Sequence, residues 1–99
     1  MSMQTLLELS TGHVPEDVFF VLRDNPGIYP WTASADDYGV MLSVPGEESW
    51  AEFTDRLHET PIWHPALIRV LAVASLAECA WLRLDEDGEF DQDLPIFDW

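Results

Sequence analysis

"PALIRVLAVASLAECAWLRL", residues 65 to 84, is the stretch whose reading decides the fold. Its apolar part runs for 17 residues, Ala66 to Leu82, but is interrupted by Arg69, Ser75 and Glu78. A membrane-spanning helix needs about 20 predominantly apolar residues, so the segment reads as a buried helix of a folded domain. Pro65 suits its first turn, where a missing N–H costs nothing. Apolar side chains occupy nearly every face up to about Ala80, which predicts the central, most buried helix. "WLRL" follows as a strand.

Upstream of this stretch, Ser49 and Glu52 form an S-x-x-E capping box ahead of "WAEFTDRLHET", with Trp50, Phe53 and Leu57 at helical spacing and Pro61 ending the helix. "IYPWTA" and "YGVMLSV" read as two strands of a hairpin joined through "SADD", whose Ser and Asp residues favour a tight turn. "TLLEL" is a first strand, and Pro15 opens the helix "PEDVFFVLRDN", which "NPG" stops. Downstream, "DEDGEFDQD" at residues 85 to 93 turns around Gly88, and "LPIFDW" supplies a short last strand placed at an edge by Pro95. The order β-α-β-β-α-α-β-β predicts one α+β domain over residues 1–99. It comprises a small antiparallel or mixed sheet with two or three helices packed on one face.

With 47% hydrophobic residues and five tryptophans, the 99-residue chain can bury one core. Its 19 Asp and Glu face only four Arg and no Lys, a net charge of −15. That excess must be solvated or must meet a cationic partner. It disfavours direct binding to nucleic acid, for which no basic patch exists, and binding to anionic membranes. The single cysteine, Cys79, excludes an intramolecular disulfide, and no basic-then-apolar leader opens the chain, so the expected location is cytoplasmic.

Several short motifs carry a resemblance. "STGH" after the first strand, "YGVMLSVP" in the hairpin, "CAWLRLDEDGE" after the long helix and the terminal "LPIFDW" resemble a family of small uncharacterised bacterial proteins encoded on plasmids and other mobile elements. The residues concerned are Ser10, Thr11, His13, Tyr38, Gly39, Cys79, Trp81, Leu82, Asp85, Leu94, Pro95, Phe97 and Trp99. Glycine often precedes the cysteine in that family, where this chain has Glu78. The resemblance implies no activity. It implies a genetic context in which proteins that interfere with host defence are common.

Candidate chemistry is sparse. Ser10, Thr11 and His13 could place a hydroxyl near an imidazole for a small hydrolase or transferase, but no G-x-S-x-G elbow surrounds the serine, and the bland reading has these side chains satisfying backbone groups at the strand-to-helix junction. Cys79 lies in an apolar helix without the cation a reactive thiolate needs. His58 and His64 straddle Pro61 and match no zinc-ligand spacing. An EF-hand counted from Asp87 has Gln92 where glycine is required, and one counted from Asp85 fails in the same way. No metal and no cofactor is expected.

The charge is the most informative feature. A domain of this length has a diameter of about 30–35 Å, and duplex DNA of that length carries roughly 18–20 phosphates. Fifteen excess negatives are comparable. Salt adaptation and solubility would also yield an acidic chain, but here the carboxylates are bunched. Asp36, Asp37, Glu47, Glu48, Asp85, Glu86, Asp87, Glu89, Asp91 and Asp93, with Trp63 and Trp99 as aromatic anchors, are the candidate partner-binding residues. The expected function is that of a non-enzymatic nucleic-acid mimic, of anti-CRISPR or anti-restriction type, occupying the basic groove of a host-defence complex. The alternatives are the hydrolase or transferase above and an acidic accessory subunit with a specific protein partner.

Overall fold

The computed structural model describes residues 5–97 and 99. Residues 1–4, the start of the expected domain, and Asp98, within the expected last strand, lie outside the described residues. Among those described, β1 (Leu6–Ser10), β2 (Ala33–Ala35), β3 (Gly39–Ser43) and β4 (Trp81–Asp85) form one mixed sheet in the order β1-β4-β3-β2. β4 runs parallel to β1 and antiparallel to β3. Its two-residue alternation separates the faces. Leu82 aligns with Leu7 and Leu42, and Leu84 with Leu9 and Val40, on the core side; Arg83 aligns with Glu8 and Met41 on the other.

The leucine face is covered by α1 (Glu16–Asp24), α2 (Trp50–His58) and α3 (Pro65–Leu76). Val18, Phe19 and Leu22 of α1, Phe53 and Leu57 of α2, and Leu67, Val70, Leu71 and Ala74 of α3 join the sheet leucines in a single buried cluster. α3 is the most buried helix, as its all-round apolar pattern requires. The class is α+β, with the helices on one side of the sheet.

Four local expectations are corrected. β2 begins at Ala33 rather than Ile28, because Pro26–Ile28 close a 3-10 turn and Pro30 offers no N–H to a ladder. The Ser49–Glu52 capping box does not form: Glu47–Ser49 is already a 3-10 turn running into α2, and the Ser49 side chain accepts no capping bond. α3 stops at Leu76, where the N–H groups of Glu78 and Cys79 bond to the carbonyls of Ser75 (3.0 Å) and Ala74 (2.9 Å). That Schellman ending needs one left-handed residue, and Glu78 supplies it at φ 59°. Finally, Leu94–Phe97 and Trp99 form no strand. They make a strap tied to the turn after β1, with the Phe97 N–H on the Gly12 carbonyl at 2.7 Å and the Trp99 indole N–H on the Val14 carbonyl at 2.9 Å.

Candidate functional site

Parallel pairing brings the C-terminal ends of β1 and β4 to the same end of the sheet, and Asp85 there aligns with both Ser10 and Gly39. The β2–β3 turn reaches the same place. Asp36 closes that turn by accepting the N–H groups of Tyr38 (2.9 Å) and Gly39 (3.0 Å) on Oδ1. Arg83 Nη2 then bridges Asp36 Oδ2 at 3.0 Å and Asp85 Oδ2 at 2.8 Å. Asp36, Asp37, Asp85, Glu86 and Asp87, widely separated in sequence, thus share one end of the molecule.

These carboxylates are not equivalent. The Tyr38 N–H, reinforced by Arg83 and Gly39, holds the Asp36 carboxyl below the usual carboxylate range. The Asp87 N–H, followed by Arg83, does the same for Asp85. Desolvation pulls the Arg83 guanidinium down, but the hydrogen bonds it donates to Asp85 and Asp36 outweigh it and its pKa is raised. Asp36 and Asp85 are therefore structural partners of Arg83. Asp37, Glu86, Asp87 and Glu89 beside them are exposed.

The remaining candidates are dispersed. Glu47 and Glu48 lie at the opposite end of the sheet, beyond the Ser43–Trp81 pairing, so the acidic residues form two groups and not one patch. Asp91 and Asp93 form a turn in which Asp91 Oδ1 accepts the Asp93 N–H at 2.8 Å. Trp63 is 36% exposed and its ring lies tilted against His58 at 4.7 Å between ring centres. Trp99 is 43% exposed but packs against Phe19 and Phe20.

His13 is fully buried and holds the strap. Its Nδ1 lies 2.8 Å from the Pro95 carbonyl, and its Nε2 accepts the Asp91 N–H at 2.8 Å. A carbonyl can only accept and an amide N–H can only donate, so the ring is the neutral Nδ1–H tautomer with both nitrogens occupied. Ser10 Oγ accepts the Gly12 N–H at 3.1 Å. The Ser10 and His13 side chains thus satisfy backbone groups, those of His13 lying more than 75 residues away. His64 likewise caps α3, accepting the Ala66 N–H on Nδ1 at 3.0 Å. Among the described residues no group of three or more His, Cys, Asp or Glu side chains is placed to hold a metal ion, and no helix is long and apolar enough to cross a membrane.

The family described as "Family of unknown function (DUF5983) C-terminal domain" matches residues 6–99. The chain belongs to that family. Every described strand and helix of this DUF5983 domain falls within the match. No curated protein and no solved structure matches.

Beside the acidic end, the DUF5983 domain has a groove of about 580 Å³ that the sequence did not disclose. Phe20, Tyr38, Phe90, Ile96 and Trp99 line it, and Asp37 and Glu86 also face it. Those apolar side chains come from four segments, α1, the β2–β3 turn, the loop after β4 and the strap, so no one segment's periodicity points to a shared site.

Proposed function

We propose that this chain is a non-enzymatic acidic binding protein that imitates nucleic acid and occupies the basic groove of a cytoplasmic host-defence complex, of the CRISPR or restriction type. One observation carries the proposal: Asp37, Glu86, Asp87 and Glu89 are exposed near one end of a sheet whose neighbouring carboxylates, Asp36 and Asp85, are fixed by a shared arginine. Carboxylates on a short hairpin turn and a β-turn are held at lower entropic cost than those of a floppy tail. The longest dimension is 37 Å, and duplex DNA of that length carries roughly 22 phosphates, against a net charge of −15. A mobile-element origin, implied by the sequence motifs, would give such an inhibitor its selective setting.

The test is competition. Added to a candidate defence nuclease or surveillance complex, the protein should displace DNA in a salt-sensitive way. A variant carrying D37N, E86Q, D87N and E89Q keeps the Arg83 bridge and should lose displacement. Undiminished displacement by that variant would remove this end of the sheet as the mimic.

A further inference from the structure

The groove beside the acidic end is built unlike the rest of the surface. Eight large apolar side chains are exposed among the described residues, and five of them, Phe20, Tyr38, Phe90, Ile96 and Trp99, line this one depression. Single exposed apolar side chains need no explanation, whereas several converging on one concavity mark a binding surface. The depression is also preformed. Trp99 is fastened by its indole N–H to the Val14 carbonyl, Phe90 meets the buried His13 ring edge-on at 5.4 Å, and the Phe97 N–H anchors the strap.

Electrostatics select the occupant. Asp37 and Glu86 face the groove, and Asp87 follows Glu86 as an exposed acid. Arg23, the one cation lining it among the described residues, is already engaged: the guanidinium lies over Phe20 at 4.8 Å, with Nε 3.5 Å from Asp24. A second copy of the chain would bring another −15 to the contact, and an anionic lipid surface would be repelled in the same way. An apolar side chain carried between cationic residues meets both halves of the site.

We infer that this groove receives a large apolar or aromatic side chain from a lysine- and arginine-rich segment of a protein partner, whose flanking cations pair with Asp37 and Glu86. The inference rests on the acidic end being the partner-binding face and adds an anchor to it. Surfaces that bind single-stranded nucleic acid interleave such aromatics with basic residues, because each base stacks on a ring. A side chain that normally meets a base would enter the groove instead. The anchor supplies the selectivity that long-range charge lacks.

Peptides test the anchor separately from DNA displacement. Short Lys- and Arg-rich peptides identical except for a central Phe, Leu or Ala would be titrated into the protein at low salt and followed by amide chemical shifts. Burial of the anchor should make the Phe and Leu peptides bind about 10- to 100-fold more tightly than the Ala peptide. Shifts should centre on Gly12, Tyr38 and Phe97. Y38S and I96S, at exposed positions, should remove that advantage while leaving the weak charge-driven binding. L6S, at the far end of β1, should leave it intact. Equal affinity for the three peptides, no binding of any of them, or an advantage that survives both groove variants would each overturn the inference. Anchor-dependent binding without DNA displacement would retain the groove and refute the mimic. Displacement with no anchor preference would do the reverse.

Discussion

Replacing His13 with alanine tests the strap. The ring is fully buried, and its two nitrogens hold the Pro95 carbonyl and the Asp91 N–H, each at 2.8 Å. Alanine leaves one acceptor and one donor unpaired, at about 1–3 kcal/mol each. It also opens a void beside Phe90, which adds a cavity term. Because the strap lies at the surface and water can reach part of it, the low end applies, a loss of roughly 3 kcal/mol. For a domain with a urea slope of about 1 kcal/mol per molar, the midpoint should fall by roughly 3 M. His13→Asn, whose amide can still donate to Pro95 but not accept from Asp91, should lose about half as much. Urea unfolding followed by tryptophan fluorescence gives the midpoints, and hydrogen exchange of the Asp91 and Phe97 amides shows whether the strap opens first. A shift below about 0.5 M for alanine, or identical midpoints for alanine and asparagine, would refute the reasoning.

Other consequences follow from particular backbone and charge features. Glu78→Gly should raise stability by about 1 kcal/mol, since Glu78 sits at φ 59°; thermal melting checks it, and Glu78→Ala should give no such gain. Gly88→Ala should cost about 2 kcal/mol or more, because a Cβ there would lie 2.3 Å from the Leu9 carbonyl oxygen, whereas Gly46→Ala meets nothing within 4 Å and should be silent in the same melt. Asp36 and Asp85 have lowered folded pKa values. Their stabilising contribution is therefore complete above the unfolded carboxylate value near pH 4 and is lost as pH falls through the lower folded values. Melting against pH should show that acid loss in the parent and less of it in Asp85→Asn.

Much of the fold was legible because periodicity reports burial. The all-round apolar run identified α3, and "WLRL" after it was read as the strand that is β4. Sequence failed where a neighbouring turn or a long-range hydrogen bond overrode local preference. Ser49 has the chemistry of a helix cap, but the turn preceding it had already taken a helical conformation. "LPIFDW" has strand composition, but Gly12, His13 and Val14 bind its polar groups and draw it away from the sheet edge. The acidic clusters were readable and their grouping was not, since parallel pairing of β1 with β4 and the Arg83 bridge decide that Asp36 joins Asp85 while Glu47 and Glu48 go to the far end. The groove was invisible for the same reason: its five apolar side chains belong to no single periodic segment.

The division of the acids between two ends supplies a test that composition alone cannot. If the carboxylates served only solubility or salt adaptation, every exposed acid would be interchangeable, because long-range repulsion follows net charge. Asp37→Asn with Glu86→Gln and Glu47→Gln with Glu48→Gln remove the same charge from opposite ends. At about 0.15 M salt the screening length is about 8 Å, much less than the 37 Å length of the molecule, so a bound partner senses the nearby pair and hardly the remote one. The first double variant should weaken partner binding and its salt dependence markedly, and the second should weaken them little. Equal effects, measured as competition with DNA for the same effector, would mean that the acids act as diffuse charge and that the arrangement fixed by Arg83 has no part in recognition.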